Sequence, residues 1–338
     1  MQCFKRFIYT VKIQSFKISN DKEKKDMLKA YSVFNDLDLK ACEIIKNIGI
    51  ELELSKEDER PNEEKLLDLL KNNDILIIGV KEKLTKSMLK EVKSKKIIAT
   101  LSIGVDHIDK NFYENDLIQV INCKTSNVMS VAEHIFTLIL SLKKRIIEAN
   151  NISISGGNRN DLSLRSQDIF ECTMGIIGAG KIASEVIKIA KVFNMNILCF
   201  TLHPERHLDL LQQDIKFLSL DELLSNSDII TVNIPLDESS KNLISEDKIK
   251  LMKKSATFIN TSRAEIVDMN ALIKYAEENK TFNVGLDIDV ENYKEMLSVK
   301  RNNVIVTPHI AGVTKEAIER MDTELANNIK KYVEENYE

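Results

Sequence analysis

From residue 174 onwards six short apolar runs recur, MGIIG (174–178), NILCF (196–200), DIITVNIP (228–235), ATFINT (256–261), NVGLDI (283–288) and NVIVTPH (303–309), with helical spacing between them. Runs this short and this continuously apolar read as strands covered on both faces, and their alternation with helices predicts a parallel sheet. The same rhythm occurs earlier. DILIIGV (74–80) reads as a strand, KLTKSMLKEVKSK (83–95) has helical spacing, KIIATLSIGVDHID (96–109) reads as a strand ending in a glycine turn, and LIQVIN (117–122) is a further strand. The predicted fold class is α/β, with two doubly wound parallel-sheet domains. A length of 338 residues suits two cores. Between the two runs, SVAEHIFTLILSLKKRIIEANN (130–151) reads as one long connecting helix, with Ser130 as N-cap and Glu133 three residues on. Residues 151–167, rich in Gly, Asn and Ser, read as loop, and residues 313–336 as one amphipathic helix.

Composition excludes several classes. The net charge is −4 with lysines scattered along the chain, so no basic face for nucleic acid is expected. The five cysteines (Cys3, Cys42, Cys123, Cys172 and Cys199) are odd in number and form no C-x-x-C. They read as small buried hydrophobes in a reducing compartment rather than as disulfides or metal ligands. The N-terminal run MQCFKRFIYTVKI is broken by Lys12, and no apolar run approaches the ~18 residues of a membrane span. A cytoplasmic chain is therefore expected, without membrane partner and without a metal.

GIIGAGKIAS (175–184) joins the first strand of the second run to a helix. Gly178 permits a tight turn, Gly180 lets the backbone approach a pyrophosphate, and Ala183 is small enough for close helix–strand packing. Backbone N–H groups of Lys181 and Ile182 at the helix N-terminus would face the phosphates. The alternative is a structural strand-to-helix turn. An acidic residue some 20 positions on would grip the ribose, but the residue 21 after Gly180 is Thr201. A threonine does not repel a 2′-phosphate, and His203, Arg206 or His207 could add positive charge, while Glu205 could still reach the ribose. The expected cofactor is NAD or NADP, with NADP favoured.

SIGVDHID (102–109), NVMSVAEH (127–134), VNIPL (232–236), INTSRAEIVD (259–268), GLDIDV (285–290) and TPHIAG (307–312), together with the glycine turn, follow one another in order. The set resembles the D-isomer-specific 2-hydroxyacid dehydrogenases, over roughly residues 74–325. The first seventy residues match poorly. The resemblance implies a flavodoxin-like substrate domain of residues 1–128 and 311–338, a Rossmann NAD(P)-binding domain of residues 129–310, an active site in the cleft between them, and a homodimer. It implies a small 2-keto or 2-hydroxy acid as substrate.

His309 matches the family's catalytic acid/base, a role that a side chain of pKa near 6.5 suits. Arg263 matches the arginine that holds the substrate carboxylate and polarises its carbonyl. Asp287 matches an acidic residue near the nicotinamide, with Asp289 as a solvated neighbour. Asn233, Ile234 and Pro235 match the loop beside the adenine, and Thr261 and Ser262 the contacts to the nicotinamide ribose. Lys81 and the backbone of Ile103 and Gly104 match substrate contacts, with Ser102 and Asn127 as further candidates, whereas His107 and His134 read as structural. The chain departs from the pattern at Ala264, where relatives carry glycine, and at the histidine's carboxylate partner. That position is Asn292, with Glu291 just before it, and either could orient the histidine. An asparagine lends no charge, so the pH limit for reduction is expected to lie low.

Two rival readings accompany the dehydrogenase. The altered carboxylate, Ala264 and the missing ribose acid suit a nucleotide-binding sensor or corepressor-like protein, and the amide at 292 suits a formate- or phosphite-type dehydrogenase. No regulatory domain is expected beyond residue 338.

Overall fold

A computed structural model describes residues 27–56, 60–207, 210, 215–298 and 301–337. The readings of Cys3 and of the N-terminal run lie outside them.

The chain forms two parallel sheets. The first contains β1 (Lys29–Ser32), β2 (Glu51–Leu54), β3 (Ile75–Ile78), β4 (Lys96–Thr100) and β5 (Ile118–Asn122), in the order β2-β1-β3-β4-β5. β3 and β4 are buried along their whole length, which is why they read as unbroken apolar runs. β1 and β2 carry no such run. KAYS and ELEL are short, and β2 alternates exposed and half-buried residues at the sheet edge. α1 (Leu39–Asn47) follows β1 and α2 (Glu63–Asn72) follows β2, whereas the helical spacing at 83–95 yields only a 3-10 helix, Lys86–Glu91.

The second sheet contains β6 (Thr173–Ile177), β7 (Asn196–Phe200), β8 (Lys216–Phe217), β9 (Ile229–Val232), β10 (Thr257–Asn260), β11 (Asn283–Asp287) and β12 (Val304–Thr307). Their order is β12-β11-β10-β9-β6-β7-β8. The strand count is therefore seven rather than the six expected, because β8 is a two-residue edge strand too short to leave an apolar run. The chain leaves β6 towards β7 on one side and later returns to β9 on the other. That reversal opens a crevice at the C-terminal ends of the strands.

The connecting helix is not continuous. α3 (Val128–Lys143) and α4 (Ile146–Ile154) are separated by Arg145, whose φ is +55°. The break buries the Arg145 guanidinium against Glu148 and Ser163. No Gly or Pro marks it; the left-handed residue is Arg145, whose side chain pairs with Glu148. The N-cap position is Asn127, not Ser130, which lies inside α3 with its hydroxyl on that of Thr314.

α3 buries Ile135, Ile139 and Leu142 in the core of the second sheet. The C-terminal helix (Lys315–Asn336), capped by Thr314, packs Met321, Leu325 and Ile329 into the core of the first. The chain thus crosses between the sheets twice, near Asn127 and near Gly312. The two crossings touch: a Cβ on Gly312 would lie 2.5 Å from Asn127 Nδ2. Among the described residues no helix is long and apolar enough to cross a membrane, and no cluster of side chains could hold a metal. Cys42, Cys123 and Cys199 are buried free thiols, and Cys172 is half-buried.

Candidate active site

The strands of both sheets are parallel, so the loops that follow them gather at one edge of each sheet. After β6, Gly178 has φ +102°, and a Cβ there would lie 2.5 Å from the Asn233 carbonyl oxygen. Only glycine fits that turn. Gly180 is different: a Cβ on it would meet no atom within 4 Å, so its open face is room for something other than protein. It stands at the N-cap of α5 (Lys181–Val192) with no side-chain cap. The first helical N–H groups, including those of Lys181 and Ile182, have no partner within the helix. An uncapped helix end beside open space fits the pyrophosphate of a dinucleotide. The loop after β9 closes the turn from above, with Asn233 N–H donating to Ile177 O, while Ile234 packs on the core and the Pro235 carbonyl accepts from Ser240. At the end of β7, Thr201 is half-buried, and Glu205 faces His203 at 3.2 Å and Arg206 at 4.0 Å.

After β10, the buried Asn260 fixes the local backbone. Its Oδ1 accepts from Ser262 N–H, and its Nδ2 donates to the Arg263 carbonyl. Ser262 Oγ donates to Val232 O, so its proton is committed, whereas Thr261 is half-buried beside it. The Arg263 guanidinium crosses to the other domain. Nε donates to Asp106 Oδ2 at 3.1 Å and Nη2 to Asp106 Oδ1 at 2.8 Å, while Nη1 donates to Ser262 O at 3.0 Å. An arginine has five N–H donors in one plane. Asp106 takes the side-on pair on Nε and Nη2, and the Ser262 carbonyl takes one Nη1 proton. Among the described residues one N–H on Nη1 and one on Nη2 have no acceptor, and charge-assisted donors of this kind suit a carboxylate. Burial pushes the Asp106 carboxyl up, but the hydrogen bonds and charge of Arg263 outweigh it and hold it below the usual carboxylate range.

Gly104, in the turn after β4, faces that guanidinium: a Cβ there would lie 2.7 Å from Nη2. Among the described residues nothing accepts from the N–H groups of Ile103 or Gly104. Ser102 faces inward and donates to the Gly104 carbonyl. Lys81 is exposed just beyond β3, on the same sheet edge.

After β12, His309 has φ +56°, a left-handed conformation in which Asp287 holds the chain. Asp287 is fully buried and pairs in register with Thr307. Its carboxylate accepts from Thr307 Oγ1 at 2.6 Å, Ile310 N–H at 2.8 Å and Ala311 N–H at 2.7 Å. Thr307 in turn accepts from His134 Nε2. Asp287 therefore positions the histidine loop rather than opening into the cleft, and His134 is structural. Burial first, and then the charge of Arg263, lowers the pKa of His309 below its ordinary value, while Asp287, Asp289 and Asp106 oppose the shift.

Glu291 and Asn292 are both exposed, in a 3-10 turn whose Tyr293 packs inward with Met296 and Leu297, and neither hydrogen-bonds His309. The carboxylates that act on the histidine come from elsewhere. Asp289 is exposed, as read from the sequence, yet it is one of them.

Sequence reasoning missed Asp106, Asn260 and Thr307. Asn260 and Thr307 end their strands, where a polar residue after an apolar run is a usable signal. Asp106 carries no local signal, since its partner stands 157 residues away.

Residues 136–311 match the family described as "D-isomer specific 2-hydroxyacid dehydrogenase, NAD binding domain". The chain is 31% identical over 306 residues to a hydroxypyruvate reductase of Thermotoga maritima, covering 88% of this chain and 96% of that one. It is 34% identical over 289 residues to a glyoxylate reductase of Thermococcus litoralis, covering 82% and 86%. Among solved structures it is similar to an acyclic imino acid reductase in complex with NADPH and D-Arg (TM-score 0.83, 28% identity, 91% of this chain and 98% of that one). It is also similar to the D-lactate dehydrogenase of Aquifex aeolicus complexed with NAD and lactic acid (TM-score 0.78, 28% identity, 91% and 96%).

Proposed function

This chain belongs to the D-isomer-specific 2-hydroxyacid dehydrogenase family and is a nicotinamide-dependent oxidoreductase, and on that premise we propose that it interconverts a small 2-keto acid and its D-2-hydroxy acid. The observation that carries the substrate reading is the Arg263 guanidinium beside Gly104, two of whose N–H groups no described residue takes and whose charge lowers the His309 pKa. The nicotinamide supplies or accepts the hydride when bound. Arg263 and the N–H groups of Ile103 and Gly104 hold the carboxylate and orient the carbonyl. His309 donates its proton to the carbonyl oxygen in reduction and takes it back in oxidation. Gly178, Gly180, Lys181 and Ile182 cradle the pyrophosphate, Asn233, Ile234 and Pro235 flank the adenine, and Thr261 and Ser262 line the ribose nearer the nicotinamide. Lys81 faces the substrate from the β3 loop.

The test is nicotinamide oxidation with glyoxylate, pyruvate, hydroxypyruvate and longer 2-keto acids, each with NADH and NADPH. The same acids with added ammonia form a second arm, motivated by the similarity to an imino acid reductase. Tight cofactor binding without turnover in any arm would favour the sensor reading.

The pH dependence has a defined sign. Burial and Arg263 favour neutral His309, so less of the acid form is present at neutrality than for a free histidine. In pH profiles, kcat/KM for reduction should fall with rising pH through a midpoint below ~6.5. For oxidation it should rise through the same midpoint. A midpoint above the ordinary histidine value removes His309 from the acid/base role.

We propose NADP(H) as the preferred cofactor. Thr201 adds no negative charge at the end of β7, and Glu205 sits against His203 and Arg206. Thr201→Asp should reduce kcat/KM with NADPH by about tenfold or more relative to NADH, since like charges brought together cost several kcal/mol. An unchanged ratio would show that Thr201 does not meet the 2′-position.

The assembly we propose is a homodimer. Ile146, Ile147 and Ile154 of α4 are exposed and offer an apolar face of the kind a second copy covers. Sedimentation equilibrium should return twice the chain mass, and a monomer at micromolar concentration contradicts it.

A further inference from the structure

The turn after β4 is held from behind by a chain of hydrogen bonds whose direction can be worked out. Asn122 Nδ2 donates to the Ile103 carbonyl at 2.9 Å, and Ser102 Oγ donates to the Gly104 carbonyl at 2.7 Å. A carbonyl only accepts, so the Ser102 proton is committed to Gly104. Ser102 Oγ also lies 2.9 Å from Thr100 Oγ1, and Thr100 must therefore donate in that contact. The single Thr100 proton is then used. His107 Nε2, 3.0 Å from the same Thr100 oxygen, must donate to it. Thr100, Ser102 and His107 are all buried. The chain runs one way, from the His107 ring through two hydroxyls to a backbone carbonyl. It also predicts the remaining ring atom: Nδ1 carries a lone pair, and Nδ1 is a buried atom without a hydrogen-bond partner.

In a trans peptide the carbonyl and the following N–H point in opposite directions. Tying Ile103 O to Asn122 aims the Gly104 N–H the other way. Tying Gly104 O to Ser102 aims the Val105 N–H away from the buried network. Among the described residues neither N–H has an acceptor. We propose that His107 is a positioning residue that, through Thr100 and Ser102, aims the Val105 N–H as an additional donor to the substrate carboxylate. The proposal rests on the reading of this turn as the carboxylate site.

The charged groups facing the ring are Asp106 and Arg263, and burial pushes its pKa down to about 4. The ring accordingly stays neutral, with its proton on Nε2, across the working pH range.

Two measurements test this. Nitrogen-15 NMR of the imidazoles at pH 6–8, with His107→Gln used to assign the signal, should show His107 as the Nε2–H tautomer. An Nδ1–H tautomer overturns the relay whether or not the protein turns over a keto acid. In kinetics, His107→Phe keeps the ring and removes the donor, while Ser102→Ala cuts the chain at its far end. Each should raise KM for the 2-keto acid about five- to tenfold, as expected for one lost hydrogen bond, with a smaller change in kcat. The double variant should be no worse than either single, because both cut the same chain. His107→Gln, which retains an N–H donor, should recover part of the loss. Additive effects or an unchanged KM overturn the proposal, and Ser102→Ala carries the kinetic test if His107→Phe does not fold. If the parent chain reduces no 2-keto acid, the carboxylate reading fails, and the tautomer still decides the relay.

Discussion

Replacing His309 with asparagine lowers kcat for 2-keto acid reduction by about 10²–10⁴-fold, the range for losing a general acid. Asparagine is the informative choice because it tolerates the left-handed backbone that His309 adopts. The loop bolted by Asp287 through Thr307, Ile310 and Ala311 then stays in place. The loss is chemical rather than structural. Affinity for the dinucleotide, read by fluorescence titration, should change little, and the pH limb assigned to the histidine should vanish with the activity. A fall of less than tenfold, or a limb that survives, would mean that another group moves the proton.

Substitution of Arg263 has the second large effect. Arg263→Lys keeps a positive charge but loses the planar fork, so it should lower kcat/KM by about 10²-fold or more, since each charge-assisted hydrogen bond contributes about 1.5–3 kcal/mol. Arg263→Gln should lower it further and leave Asp106 facing no cation. It should also move the pH limb of the residual activity upwards. Arg263 is the second largest influence holding the His309 pKa down, after burial, and removing it makes the charged imidazole easier to form. That upward shift separates loss of charge from general misfolding. A lysine variant with parental kcat/KM would show that the fork does not grip the substrate.

The His309 environment was only partly legible in the sequence. The histidine and the arginine could be singled out from their motifs. The carboxylates around the histidine could not, because the family resemblance pointed to Asn292 or Glu291, both of which are exposed here. Asp287 was recognised as acidic and near the chemistry. Its burial between two backbone N–H groups and a threonine follows from the β11–β12 pairing, which places Thr307 beside it. His107 was read as structural, and its contact with Thr100 makes it the end of a hydrogen-bonded chain reaching the turn after β4.

By itself the sequence determined what is local. Most strand positions, and the helices after the glycine turn and at the C-terminus, follow from the periodicity of neighbouring residues. The glycine turn at 178–180 follows from a φ that only glycine adopts freely and from a position where no side chain is needed. These features are decided within a few residues, so a linear reading reaches them. The tertiary structure decided what depends on distant segments meeting: the Asp106–Arg263 pair across 157 residues, the break of the connecting helix at Arg145, the two-residue strand β8, and the inward or outward facing of the residues near His309. Those outcomes are set by burial and charge in three dimensions, where a carboxylate finds its cation only after both domains have folded.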